Sequence, residues 1–170
     1  MKILIISLPR TGSTSLLNKL SEENNLQLIF EPWDGSDRYR YNSSMVNCCL
    51  KTMIYHIPLG YENVITGYVE LVKEFDKVIL LSRRDLKECG ESWAYLKHHN
   101  HKGFDSTRPY VWKNPPDVDK HTEDINKWNN ELIEISKILN VDITYYEDIF
   151  DKNSNERYRK NIPLEKNKLI

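Results

Sequence analysis

The chain has 170 residues, 39% of them hydrophobic, and a formal net charge of −1 from 24 basic and 25 acidic side chains. This length implies one domain with a single proper core, and the balanced charge excludes bulk electrostatic attraction to nucleic acid or to an acidic membrane surface. Cys48, Cys49 and Cys89 are an odd number without framework spacing, which fits a reducing, cytoplasmic setting, and no apolar run reaches the length of a signal peptide or a membrane span.

The first predicted element is an apolar strand over Ile3–Ser7. It feeds into Pro9-Arg10-Thr11-Gly12-Ser13-Thr14-Ser15 and a helix over Thr14–Glu22. A buried strand ending in a Gly/Ser/Thr turn that opens a helix presents unpaired N–H groups, hydroxyls and the positive end of the helix dipole, so it is a cradle for phosphate. It is not a Walker A loop, because the second Gly and the Lys of GxxxxGK[ST] are absent. The cation here is Arg10, placed before Gly12.

A second strand over Leu26–Phe30 ends at Glu31-Pro32, where Pro32 stops the ladder. Residues 34–44 are polar and read as loop, and Cys48–Tyr55 as a third strand. Helical spacing of Val64, Ile65, Tyr68, Val69, Val72 and Phe75 predicts a helix over Tyr61–Phe75, followed by a central strand over Lys77–Ser82. Asp85–His98 reads as a helix with Cys89, Trp93 and Leu96 inward. The Pro- and Gly-containing segment Lys102–Pro116 reads as loop, and Asp117–Leu139 as a long helix with Ile125, Trp128, Leu132, Ile135 and Leu139 on one face. Val141–Tyr145 is the last predicted strand. The tail from Asp151 is polar and Lys/Asn-rich, a composition that favours disorder. Apolar runs alternating with helical patterns predict a three-layer α/β/α domain with a parallel sheet of about five strands over residues 1–150.

A second anion site is predicted where Lys77–Ser82 ends. Arg84 and Ser92 stand eight residues apart, a little over two helical turns, and face a common point if the Arg84 side chain folds back. The plain alternative makes Arg83 and Arg84 ordinary strand-end charges and Ser92 a solvent-facing helix residue. Two phosphate positions at the carboxyl ends of two parallel strands describe a ligand phosphorylated at both ends of one ribose.

With these motifs the sequence resembles the sulfotransferase family. Its 5′-phosphosulfate loop, P-[KR]-[ST]-G-[ST]-[ST], is matched by Pro9–Thr14, and its strand-end Arg with a Ser eight residues later by Arg84 and Ser92. The Arg form of the loop together with Glu31-Pro32 is closer to carbohydrate and tyrosylprotein sulfotransferases than to the cytosolic phenol/steroid group, and Tyr146–Ile149 resembles the family's late YED[LI] strand segment. The resemblance runs through roughly residues 1–150. It implies a P-loop-like fold, 3′-phosphoadenosine 5′-phosphosulfate as donor, no metal, and a small-molecule or carbohydrate acceptor, with no nucleic acid or membrane partner. It carries nucleotide binding to Pro9, Arg10, Thr11, Gly12, Ser13, Thr14, Ser15, Arg84 and Ser92, with Arg10 neutralising charge on the leaving phosphate.

The C-terminal RKGxxG segment of cytosolic members has no counterpart. Arg157, Arg159 and Lys160 stand either in its place or simply in a solvated basic tail. Lys51-Thr52 resembles the family's KTH segment, but Met53 stands at the His position. His56 is the nearest imidazole, on the opposite strand face unless the strand ends first. Glu31, ending a strand expected beside the first one, is the leading candidate base, against a plain strand-end carboxylate paired with Arg38 or Arg10. His98, His99 and His101 read as a frayed helix end rather than a metal site. Trp93 and Trp128 have core spacing, while Trp33, Tyr39, Tyr41, Tyr110 and Trp112 in loops are candidates to stack on adenine or a sugar. A P-loop kinase of a small molecule and a non-catalytic nucleotide-binding module remain alternatives, and acceptor and oligomeric state are left open.

Overall fold

A computed structural model describes residues 1–34, 41–58, 60–98 and 117–150. Five strands, β1 (Lys2–Ser7), β2 (Gln27–Phe30), β3 (Cys48–Met53), β4 (Lys77–Ser82) and β5 (Ile143–Tyr145), form one sheet in the order β2-β3-β1-β4-β5. Every pairing is parallel. The helices are α1 (Ser13–Asn24), α2 (Val64–Leu71), α3 (Leu86–His98), α4 (Val118–Leu139) and the single turn α5 (Tyr146–Ile149).

Parallel strands need crossovers, and the crossovers cover both faces with helices. Alternation along β1 and β4 divides the core accordingly. Leu4, Ile6, Val78 and Leu80 pack with Tyr68 of α2, Trp93 of α3 and Ile125, Leu132 and Ile135 of α4. Ile3, Ile5, Ile79 and Leu81 pack on the other face with Leu16, Leu17 and Leu20 of α1 and with Ile149 and Phe150. The fold is therefore the predicted α/β three-layer arrangement with five parallel strands.

The order of strands corrects two expectations. The centre belongs to β1, flanked by β3 and β4, rather than to β4. Both strands are buried over five of their six residues, so burial pattern alone could not rank them. Nor does β2 neighbour β1: β3 lies between them, which sets Glu31 two strands from the β1 exit.

Element ends follow local chemistry. The predicted helix over Tyr61–Phe75 begins at Val64, because the Asn63 side chain caps it by accepting from the N–H groups of Ile65 at 2.8 Å and Thr66 at 3.1 Å. Its last part tightens into a 3₁₀ turn over Val72–Glu74. At the far end of the chain, Ser136 holds Val141 through both its backbone carbonyl, at 3.1 Å, and its hydroxyl, at 2.7 Å. β5 consequently starts at Ile143. Tyr146–Ile149, expected as strand, is a turn of helix that places Phe150 against the β1–α1 loop. All three cysteines are free and buried. Among the described residues no helix is long and apolar enough to cross a membrane. The tail beyond Phe150 and the predicted loop Lys102–Pro116 lie outside the described residues.

Helices α3 and α4 touch at Gly90, where an added Cβ would meet the hydroxyl of Thr122 and lie 2.8 Å from its backbone Cα. Gly90→Ala is expected to destabilise the fold by about 1–3 kcal/mol through overpacking. Urea denaturation measures this, and an unchanged midpoint would mean that the two helices do not meet there.

Candidate functional site

Because the sheet is parallel, the segments leaving β1, β3 and β4 emerge along one edge. Ser7 of β1 is in register with Met53 of β3 and with Leu81 of β4. Beyond the strands, Leu8 N–H donates to the Leu81 carbonyl at 3.1 Å and Ile54 N–H to the Ser7 carbonyl at 2.9 Å. The two sequence motifs thus leave adjacent strands at the same end of the sheet.

The β1–α1 loop turns its carbonyls inward. Thr11 Oγ1 donates to the Leu8 carbonyl at 2.8 Å, Cys89 Sγ to that of Pro9 at 2.9 Å, and Arg83 Nη1 to that of Arg10 at 3.3 Å. Burial pushes the Cys89 thiol up to about 12, so the sulfur keeps its proton and serves as the donor. Arg10 and Gly12 sit in the left-handed region, with φ of 61° and 70°. Gly12 is required there twice over, since a Cβ would also lie 2.6 Å from the Phe150 ring. No side chain caps α1, and no acidic residue occupies its first turn. With these carbonyls engaged and no side chain capping α1, the turn has the features of the anion cradle expected from the sequence.

The residues assigned to that cradle divide in their parts. Pro9 and Thr11 are buried, and the Thr11 hydroxyl shapes the loop rather than reaching outward. Ser13 is buried, Ser15 half-buried and Thr14 exposed. Arg10 Nε donates to Ser92 Oγ at 2.8 Å. Burial lowers the Arg10 pKa from its ordinary value and Arg83 adds repulsion, although a guanidinium remains charged.

Arg84 and Ser92 do not meet. Ser92 serves Arg10, whereas Arg84 extends outward, with Nη1 and Nη2 donating to Asp148 Oδ1 and Oδ2 at 2.7 and 2.8 Å. The Tyr145 ring lies 4.5 Å from its Cζ. Arg83, which the plain alternative treated as a strand-end charge, is instead 92% buried, being 8% exposed. Besides holding the Arg10 carbonyl, it pairs with Glu88 at 2.7 Å and lies over the Tyr146 ring at 4.7 Å.

A second cluster forms where β2 and β3 end. Lys51, 1% exposed in the middle of a buried strand, bonds Glu31 Oε1 and sits 4.3 Å from the Phe30 ring. Its partner is therefore Lys51, not Arg10, and Arg38 lies outside the described residues. Burial lowers the Lys51 pKa against the opposing pull of Glu31. Glu31 itself has φ of 44°, a strained conformation for a side chain of its kind. A lysine between Leu50 and Thr52 in an otherwise apolar strand was the signal for this buried pair.

His56 joins the same cluster because β3 has ended at Met53. The chain turns there, His56 N–H donating to the Met53 carbonyl at 2.9 Å, so strand alternation no longer sets its direction. The Tyr68 hydroxyl lies 2.8 Å from the Met53 carbonyl and 2.6 Å from that of His56, fixing the turn from below. Burial lowers the His56 pKa, with Glu31 and Asp34 pulling it up and Lys51 and Lys97 down. Its Nδ1 is buried with no hydrogen-bond partner among the described residues.

The aromatic expectations are partly redirected. Trp33 and Tyr41 pack against the core, Tyr41 stacked on Phe75 at 5.4 Å and Trp33 edge-on to Tyr68 at 6.5 Å. Trp93 and Trp128 pack as expected. Tyr39, Tyr110, Trp112, His99 and His101 lie outside the described residues, and among those described no group of three or more His, Cys, Asp or Glu is placed to hold a metal.

No protein-family model and no curated protein matches the sequence. Among solved structures, the chain is similar to the YorR protein of Bacillus subtilis, crystallised in complex with phosphorylated GDP. That similarity is 12% in identity, covers 86% of this chain and 84% of that one, and has a TM-score of 0.43.

Two measurements test the second cluster. Glu31→Gln leaves Lys51 buried without its counter-charge and is expected to cost about 3 kcal/mol in urea denaturation, largely recovered in Glu31→Gln/Lys51→Met. For His56 the sign follows from its lowered pKa: the unfolded chain takes up a proton at the ordinary value of 6.5 while the folded chain does not. Stability is therefore present above that pH and lost as pH falls below it. The loss is expected to be shallower in His56→Gln, and parallel profiles would contradict the burial of the ring.

Proposed function

We propose that the protein is a sulfotransferase that moves a sulfuryl group from 3′-phosphoadenosine 5′-phosphosulfate to a hydroxyl or amine of a small-molecule or carbohydrate acceptor. The observation that carries this reading is that Pro9–Thr14, the segment resembling the 5′-phosphosulfate loop, stands at the uncapped start of α1 with its carbonyls turned inward. The strand beside it ends at Ser82, two residues before Arg84, and Arg84 and Ser92, eight residues apart, are the pair that resembles the family's 3′-phosphate site.

In this mechanism the acceptor oxygen or nitrogen attacks sulfur in line, a new bond to sulfur forms, and the bond from sulfur to the bridging phosphate oxygen breaks. Charge grows on that oxygen as it leaves. The N–H groups of the cradle and the Arg10 guanidinium stabilise it, which is electrostatic catalysis on a fixed framework. The acceptor proton goes to the cluster of Glu31, Lys51 and His56. Neutral His56 is the group with an unengaged buried nitrogen, and the Glu31 and Asp34 carboxylates favour the imidazolium that proton transfer creates.

Calorimetric titration of the full chain with 3′,5′-adenosine bisphosphate and, separately, with ATP plus Mg²⁺ tests the reading. The bisphosphate is expected to bind without Mg²⁺ and to weaken by roughly tenfold or more in Arg84→Ala, the loss of a charge-assisted fork. Preference for ATP plus Mg²⁺ would point to a kinase instead. In an acceptor screen with labelled donor, Arg10→Ala is expected to lower kcat by about a hundred- to a thousandfold. Bisphosphate binding without turnover for any acceptor would leave a nucleotide-binding module.

A further inference from the structure

The turn that follows β3 is anchored in its main chain and in its rings by different residues. The Tyr68 hydroxyl, fully buried, fixes the main chain through the carbonyls of Met53 and His56. A fixed backbone still leaves the His56 side-chain torsions to be set by what the ring touches. It touches Tyr55, with centroids 4.5 Å apart and planes at 78°, the edge-to-face arrangement that aromatic quadrupoles favour. Tyr55 in turn packs on Trp128 of α4, at 4.6 Å and 35°, while Trp93 of α3 stands 6.0 Å from Tyr55 and edge-on to Trp128 at 6.4 Å. Trp93 is 5% exposed, so the series of ring contacts ends in the core. Its neighbour in the chain is Ser92, which accepts from Arg10 Nε at 2.8 Å. The imidazole and the Arg10 guanidinium are thus both held with reference to α3.

We propose that Tyr55 is the positioning residue of His56: its ring, seated on Trp128, holds the imidazole in one orientation at the end of β3 and in one frame with Arg10. The inference rests on the proposed role of His56 in taking the acceptor proton. In an in-line displacement the acceptor stands between the group that takes its proton and the charge that stabilises the leaving oxygen. Those two groups must therefore keep a fixed separation, and a misplacement of about 1 Å can cost a hundredfold in rate. Tyr55 is not itself the base, because burial, together with the Glu31 and Asp34 carboxylates, pushes its phenol up and keeps the hydroxyl protonated. The contact with His56 is made by the ring, which a phenylalanine would share. The same contact takes water away from the imidazole, in keeping with the burial that lowers the His56 pKa while Glu31 and Asp34 pull it up and Lys51 and Lys97 push it down.

NMR of the histidine-labelled full chain tests the hold in wild type, Tyr55→Phe, Tyr55→Leu and Trp128→Leu, with the His56 signals assigned by their loss in His56→Gln. Three-bond couplings to the ring carbon report the His56 rotamer, and the Cε1–H shift reports its titration. Wild type and Tyr55→Phe are expected to share one rotamer and one midpoint below 6.5. In Tyr55→Leu the rotamers average and the midpoint moves upward, because water reaches the ring while Glu31, Asp34, Lys51 and Lys97 stay in place. Trp128→Leu keeps Tyr55 but removes its seat, so it should shift both readouts in the same direction, and it decides the matter if Tyr55→Leu does not fold. An unchanged rotamer and midpoint in the leucine variants, or an imidazole already averaged in wild type, overturns the proposal and leaves His56 standing as the base. Turnover separates the two ideas from the other side. In the labelled-donor screen kcat is expected to fall about ten- to a hundredfold in Tyr55→Leu and to be rescued in Tyr55→Phe. Full kcat in His56→Gln would remove the base, and the proposal with it, however firmly the ring is held.

Discussion

A helix that begins without a cap must give its first N–H groups to something other than its own chain, and α1 begins at the edge where three parallel strands release their loops. The loop before it is held by its carbonyls. Thr11, Cys89 and Arg83 each bind one of three successive carbonyls, and those anchors come from the loop itself, from α3 and from the end of β4. The cradle is thus a product of the sheet order. Had β4 not lain beside β1, neither Cys89 nor Arg83 could reach the turn.

At the same edge three cations are paired with carboxylates, Lys51 with Glu31, Arg83 with Glu88 and Arg84 with Asp148, the first two buried and the third exposed. That pairing fits a chain whose formal net charge is −1. The pairs differ in what separating them entails. Breaking the buried Lys51–Glu31 pair strands an ammonium in a protein interior, which is heavily penalised, whereas the exposed Arg84–Asp148 pair exchanges for water at little loss. Lys51 and Arg83 therefore hold the framework, while the Arg84–Asp148 pair stands at its exposed rim.

Much of this was legible in the chain. Apolar runs and helical spacing located all five strands and the four longer helices, because a buried parallel strand and an amphipathic helix have different periods. The Gly12 turn was legible for the same reason, since few residue patterns suit a left-handed position at a helix start. Strand order was not, because β1 and β4 are equally apolar and nothing local says which is central. Side-chain partners were not legible either. Arg83 and Arg84 are neighbours pointing opposite ways at a strand end, and which one turns inward is decided by Tyr146, Glu88 and the Arg10 carbonyl, residues far apart in sequence. The one-turn helix at Tyr146–Ile149 was expected as strand only through the resemblance to the family's YED[LI] segment, and four residues are too few to show a period of their own.

The relation between Glu31 and His56 follows from these same constraints. Glu31, as the strand-end carboxylate, is the natural candidate for accepting a proton, yet protonating it would leave Lys51, 1% exposed, without a counter-charge. A base whose proton uptake destabilises its own surroundings is a poor one. His56 reverses the balance: burial keeps it neutral at rest, and the carboxylates of Glu31 and Asp34 face the charge it acquires. Lys51 acts on both, pairing with Glu31 and opposing its pull on the imidazole. The end of β3 at Met53 brings the imidazole into this field, and the Tyr68 hydroxyl beneath the turn keeps it there. Within this cluster the carboxylate is better suited to stabilise a proton on its neighbour than to carry one itself.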